Sequence, residues 1–221
     1  RTKNSNQIHM ILKPRTIMKP ENYFAMIFFS LIFSLSLQVV NSYSQPSITW
    51  QRLYDTPIHQ GDYSWDICNS TQNSFFVLGR MASRSYLLRI NAYGDTIWKR
   101  IDTLYSRSIV STGDGGCVIP GGSGDTTFTM KIDSNGSLVW RKFYSFSDGS
   151  FWDIKKVSDG GYLTCGFSGP FMSQVLKVDS VGNLQWRREF SYSGGTISLL
   201  NVVEAYNGGY IIVGEVYGPG I

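Results

Sequence analysis

The chain is 221 residues long, with 42% hydrophobic, 14% aromatic and 16% charged residues, 23 Gly, three Cys and a formal charge of +4. This composition excludes a disordered chain, a collagen-like chain and a dense disulfide scaffold, and it leaves enough chain to bury a core. The charge is concentrated at the front: residues 1–44 hold five basic groups (Arg1, Lys3, Lys13, Arg15, Lys19) and one acid, Glu21, leaving fifteen bases and fifteen acids of the 20 and 16. A nucleic-acid reading, which needs a basic face, loses its support.

Residues 18–44 read as a secretory signal. Residues 24–37 (FAMIFFSLIFSLSL) are uncharged, follow Lys13, Arg15 and Lys19, and precede Ser42-Tyr43-Ser44, a small-x-small pattern that places cleavage before Gln45. The apolar stretch is short beside the roughly 20 residues of a membrane span. No cysteine follows it, which argues against a lipid anchor. Met18, beside Lys19, is a better start than Arg1, so residues 1–17 read as an upstream extension. The expected destination is secreted or outer cell surface.

From Gln45 onward the chain repeats itself. Asn91-Ala-Tyr-Gly94, Asp133-Ser-Asn-Gly136 and Asp179-Ser-Val-Gly182 each place a Trp four residues after the Gly, at Trp98, Trp140 and Trp186, and Trp50 begins the series; the spacings are 48, 42 and 46 residues. A second landmark runs Asp114-Gly-Gly-Cys117, Asp159-Gly-Gly-Tyr162 and Asn207-Gly-Gly-Tyr210, with a weaker form at Asn73-Ser-Phe75. Four residues beyond Phe75, Cys117, Tyr162 and Tyr210 stands another glycine: Gly79, Gly121, Gly166 and Gly214. Landmarks that keep step over four copies mark an internal repeat.

Each copy reads as four short strands, at 152–157, 162–167, 174–178 and 184–190 in the clearest one, joined by glycine turns that supply positive φ. Four strands every 40–50 residues predict an all-β chain, a β-propeller of four-stranded antiparallel blades. Residues 45–221 form the repeat domain, with blades at 64–100, 107–144 and 151–190 and part of a fourth at 197–221, an incomplete ring. Residues 48–54 (ITWQRLY) are expected to be an outer strand that closes the last blade, whose partner strands would follow Ile221 in a longer protein. All six Trp fall on repeat positions: Trp65 and Trp152 on inner strands, the others on outer strands. Their expected role is packing between sheets, with a sugar-stacking platform as the second reading.

The chain resembles the secreted bacterial propeller repeats of the form K-x-D-x-x-G-x-x-x-W…D-G-G-Y-x-x-x-G, here Lys131-Ile-Asp133-Ser-Asn-Gly136…Trp140 and Lys177-Val-Asp179-Ser-Val-Gly182…Trp186, with Asp159-Gly-Gly-Tyr162 and Asn207-Gly-Gly-Tyr210. The resemblance covers residues 48–221. It implies an extracellular or outer-surface protein, often exported by the type IX route with a C-terminal sorting domain, and it is more distant to quinoprotein propellers.

Sites of chemistry are sparse. His59 is the only histidine after the signal, and with Asp55 and Asp62 it shares one loop that could hold a cation or simply be solvated. Gly121-Gly-Ser-Gly-Asp125 lacks the final Gly of a nucleophile elbow, and Asp133-Ser-Asn-Gly136 lacks the bidentate Glu of a calcium loop. Ser147-Asp-Gly-Ser-Phe-Trp152 looks like a sialidase Asp-box with its spacing broken. Glu189, Glu204 and Glu215 are not explained by turns. Cys68, Cys117 and Cys165, one per blade, read as buried small hydrophobes or one disulfide pair with an odd thiol. No catalytic, cofactor-binding or metal-binding residue is assigned.

Both tight turns of a blade should point to one face. The connections at 80–85, 122–127 and 168–173, with the interblade segments 55–63, 102–106, 145–150 and 191–196, should share the other, where recognition is usually built. The leading expectation is a non-enzymatic scaffold that presents this face to a protein or glycan. An extracellular propeller enzyme, carbohydrate-active or quinone-dependent, with catalytic residues outside this chain is the alternative, and a spacer is the third reading.

Overall fold

Period-two alternation with glycine punctuation produces a chain of short strands. The structure, a computed structural model, describes residues 8–14, 51–52, 54, 63–71, 73–81, 84–102, 105–123, 126–145, 149–169 and 171–218. The expected signal at 18–44, residues 48–50, and Asp55, His59 and Asp62 lie outside the described residues.

The first sheet contains β2 (Tyr63–Asn69), β3 (Ser74–Met81), β4 (Arg84–Asn91) and β5 (Thr96–Asp102), and the second β6 (Val110–Ser111), β7 (Cys117–Ser123), β8 (Thr126–Ile132) and β9 (Leu138–Ser145). The third contains β10 (Gly149–Lys156), β11 (Tyr162–Ser168), β12 (Met172–Val178) and β13 (Leu184–Ser191). Each is four-stranded, antiparallel and ordered as the chain runs. β14 (Thr196–Glu204) and β15 (Tyr210–Tyr217) form an antiparallel pair, to which β1 (Ile8–Pro14) adds in parallel along β15. The chain is therefore all-β, built from four-stranded antiparallel units.

Successive sheets bury both faces of their middle strands. Phe76, Leu78 and Leu87 of the first sheet meet Cys117, Ile119, Phe128 and Met130 of the second. Val118, which points the other way from β7, packs with Phe151, Ile154, Leu176 and Val178 of the third sheet. Leu163, Cys165 and Val175 then meet Ile197, Leu199, Val202 and Ile212. A strand buried on both faces cannot slip its register by one residue without exchanging two complete cores. Cys117 and Cys165 are buried and Cys68 partly so, all three as free thiols. Burial pushes the Cys68 thiol up to about 12 and the other two well above their ordinary value, so they behave as small hydrophobes.

The repeat landmarks each have a physical cause. The Asp133 and Asp179 carboxylates accept two backbone N–H groups of their own turns, from Asn135 and Ser137 and from Val181 and Asn183, while Asn91 does the same with its side-chain oxygen. The Trp of one sheet then lies on the turn glycine of the next: Trp98 covers Gly136 and donates its indole N–H to the Ser134 carbonyl, and Trp140 covers Gly182. The lysine of the repeat reaches back to the aspartate of the Gly-Gly turn, Lys131 to Asp114 and Lys177 to Asp159. Both kinds of turn lie at one end of each sheet; Gly115 of one faces Ser134 of the other.

The opposite end differs from expectation in one respect. Pairing continues to Met81↔Arg84 and Ser123↔Thr126, so the connections expected at 80–85 and 122–127 shorten to two residues. Polar ends of a hairpin keep pairing because the ladder uses backbone groups, whatever the side chains. Around 168–173 the break is longer, from Ser168 to Met172.

Candidate functional site

The first strands of successive sheets, β2, β6, β10 and β14, touch one another in turn. Each is interrupted by one extra residue against its partner. Pairing shifts between Ser64 and Asp66, between Phe151 and Asp153, and between Leu199 and Asn201, which singles out Trp65, Trp152 and Leu200. In the second sheet Tyr105 bridges Gly122 while Val110 pairs with Val118, and the extra residue is Arg107 by its place in the repeat. All four stand 14 positions before the landmark glycines Gly79, Gly121, Gly166 and Gly214. Those glycines are needed for the bulge itself: a Cβ at Gly166 would collide with the Ser150 carbonyl, and one at Gly121 with the Tyr105 carbonyl. A bulge re-aims a side chain, and here the same re-aiming recurs in four sheets.

In the first three sheets the residue after the bulge, Asp66, Ser108 or Asp153, links neighbouring sheets. Asp66 accepts the Ile109 N–H at 3.0 Å, and Asp153, 4% exposed, accepts the Val202 N–H at 3.0 Å. The Ser108 hydroxyl stands between the two carboxylates, 3.0 Å from Asp66 and 3.2 Å from Asp153. Asp153 also pairs with Lys155 at 2.7 Å. Both aspartates thus hold neighbouring backbones.

The bulged side chains form the layer beyond this belt. The Arg107 guanidinium carbon lies 4.8 Å from the Trp65 ring centre, 5.0 Å from that of Trp152 and 5.2 Å from that of Tyr105. Its Nε donates to the Tyr105 hydroxyl at 2.6 Å. Tyr63 stacks on Trp65 at 5.9 Å and 26°, Tyr105 meets Trp65 edge-on at 6.4 Å, and Phe167 meets Trp152 edge-on at 5.9 Å. Arg80 lies 5.5 Å over the Tyr105 ring. Trp65 keeps 37% of its surface exposed and Tyr63 55%, so the layer is a partly open aromatic mouth that holds Arg107 among three rings, with Arg80 over the Tyr105 ring. It lies at the end of the sheets away from the glycine turns, since Tyr63 begins β2 and pairs with Arg80.

Other residues singled out in the sequence are not brought together. Glu204 accepts the Ser158 N–H and hydroxyl at 2.6 and 2.7 Å, Glu189 pairs with Arg187, and Glu215 accepts from the Tyr217 hydroxyl. Among the described residues no group of three His, Cys, Asp or Glu could hold a metal ion. The sequence reading found Trp65 and Trp152 but missed Tyr63, Tyr105 and Arg107. Counting 14 residues back from each landmark glycine would have found Arg107.

No family model and no curated protein matches the chain. Among solved structures it is similar to a protein of unknown function from Bacteroides caccae, 14% identical over 69% of this chain and 53% of that one, with a TM-score of 0.49. It is also similar to an engineered GH43 glycoside hydrolase that displays endo-xylanase and exo-arabinofuranosidase activity, 13% identical over 63% of this chain and 32% of that one, with a TM-score of 0.43. The chain spans about half the length of the first and a third of the second.

Proposed function

We propose that residues 45–221 belong to a secreted or surface-exposed β-propeller that acts without catalysis, binding a glycan through the aromatic mouth at the bulged ends of its first strands. The single observation that carries the reading is the cluster of exposed Tyr63 and Trp65 with half-buried Tyr105 and Trp152 around Arg107. A pyranose ring has an apolar C–H face, and rigid Trp and Tyr rings bury such a face while ordering few torsions. Export through the 18–44 signal would put the mouth among extracellular glycans. Binding is favoured over catalysis because the carboxylates beside the mouth, Asp66 and Asp153, accept hydrogen bonds from Ile109, Ser108 and Val202.

The propeller arrangement is supported by the successive contacts of first strands and by the arm before the first sheet. Tyr54 stands four residues after Trp50, as Tyr144 does after Trp140. Its hydroxyl donates to the Gly94 carbonyl at 2.5 Å, as that of Tyr144 donates to Gly182 at 2.8 Å. Arg52 adds an ion pair to Asp95 at 2.7 Å. The arm thus meets the first sheet as an outer strand meets the next sheet, the place that ring closure by residues 48–54 requires.

Affinity electrophoresis of the full chain through gels containing neutral and acidic polysaccharides tests the function. Retardation is expected in at least one gel, and Trp65→Ala should abolish it while the circular dichroism of the sheets stays unchanged. Migration of the wild-type chain unaltered by every polysaccharide would refute it.

A further inference from the structure

We infer that the glycan bound at this mouth is acidic, a uronic-acid-containing oligosaccharide, and that Arg107 receives its carboxylate. The inference rests on the glycan reading above and names the chemistry of the ligand. Three of the four bulged residues, Trp65, Trp152 and Leu200, are apolar; Arg107 alone is charged. Its plane is held by three rings, and its Nε is engaged with the Tyr105 hydroxyl. Among the described residues its two terminal nitrogens have neither a hydrogen bond nor an ion pair.

Other arginines of the repeat are used differently. Arg89 donates to the Ser134 carbonyl and Ser74 hydroxyl, Arg100 to the Gly136 carbonyl, Arg141 to Asp102 and Arg187 to Glu189. The acids next to the bulges are engaged by Ser108, Ile109, Val202 and Lys155, and among the described residues neither forms an ion pair with Arg107. Arg107 is thus a weakly hydrated cation whose fork is already oriented, the form that binds a carboxylate through two parallel hydrogen bonds with little entropy left to lose. Beside it, the exposed parts of the stacked Tyr63 and Trp65 rings would meet the sugar that bears the acid. A phosphodiester backbone would call for a run of cations, whereas the chain after residue 44 balances fifteen bases with fifteen acids.

The test is titration calorimetry of the full chain with short oligogalacturonates and oligoalginates, each paired with its carboxyl-reduced, neutral counterpart. Wild type is expected to bind at least one uronate about tenfold or more tighter than its reduced form. Arg107→Gln should equalise the two, and Arg107→Lys, which keeps the charge but loses the fork, should fall between. Trp65→Ala should weaken both forms together. Thermal melting of each variant at the wild-type temperature shows that the fold is intact, and the lysine variant serves if the glutamine variant melts early. Equal binding of acidic and reduced forms by wild type overturns the carboxylate inference and leaves the glycan reading standing. Failure of wild type to bind any of these sugars overturns the carboxylate inference, and the glycan reading falls with it only if every polysaccharide gel also leaves migration unaltered. Tighter binding of an oligo(dT) strand than of any uronate also overturns the inference and assigns the mouth to stacked bases.

Discussion

At the scale of single residues, the repeat is held by side chains that each satisfy two demands. Gly182 sits at φ +83°, and a Cβ there would press into the Trp140 ring and the Lys142 stem. Gly182→Ala therefore meets both left-handed strain and a packed indole, and a loss of about 2 kcal/mol in urea-derived stability is expected. Gly160, at φ +84° with nothing near its Cβ position, isolates the backbone part. Gly160→Ala should cost only about 1 kcal/mol, and equal losses at the two sites would remove the indole from the account. Lys177 is a second such residue: its ammonium is buried and donates to the Asp159 carboxylate, the Gln185 side-chain oxygen and the Val178 carbonyl. Lys177 and an N–H of its own turn hold the Asp159 carboxyl below its ordinary value, and Lys131 does the same to Asp114, down to about 2. A carboxyl depressed on folding adds stability that is full above its unfolded pKa near 3.8 and fades as pH falls toward the folded value. Wild type should therefore lose stability between about pH 4 and pH 2. Asp159→Asn should be destabilised at pH 7 by about 2 kcal/mol and have a shallower acid limb, as measured by melting temperature against pH.

At the scale of strands and turns, the four-strand unit was legible in the sequence because turns depend on local chemistry. Asp133 and Asp179 must accept the N–H groups of their own turns, and Gly136 and Gly182 must reach positive φ, so the same letters return wherever the hairpin returns. Strand ends were less legible. Arg80, Met81, Arg84 and Ser85 look like a polar connection, yet they pair, because the ladder is indifferent to side-chain polarity. The mouth was half legible: Trp65 and Trp152 share a repeat position, but Arg107 at the same position differs in size and charge and is hidden from any search by residue type. What the three have in common is a bulge, a property of two paired strands, and the sequence records it only through the glycine 14 residues later. Gly121→Ala tests that link. Its Cβ would collide with the Tyr105 carbonyl and press on Phe128, so the bulge should be displaced and the chain destabilised by about 1–3 kcal/mol. Arg107 should leave its rings, read as altered Trp65 and Trp152 fluorescence, whereas an unaltered emission spectrum would separate the glycine from the bulge.

At the scale of the molecule, sheets follow one another as separate units joined by nearest-neighbour cores, and such an array is only as cooperative as its joints. One joint among the described residues that spans three sheets is Asp153. Its buried carboxylate belongs to the third sheet, accepts the Ser108 hydroxyl of the second sheet and the Val202 N–H of β14, and holds Lys155. Asp153→Ala leaves a buried N–H without its acceptor, which costs about 1–3 kcal/mol, while the half-exposed Lys155 can turn to water and adds little. The total expected loss is therefore about 2–3 kcal/mol. An exposed pair supplies the contrast: Asp95 and Arg52 are each about half exposed, and Asp95→Ala should cost under about 1 kcal/mol. The two substitutions should also differ in where the loss falls. If Asp153 couples the sheets, its removal should speed amide exchange most at Val202 and Ile212 in β14 and β15, less at Ile154, and least at Leu87 and Leu88 in the first sheet. Equal acceleration in every sheet would mean that the molecule unfolds as one body, and that the aspartate contributes to stability without acting as a joint.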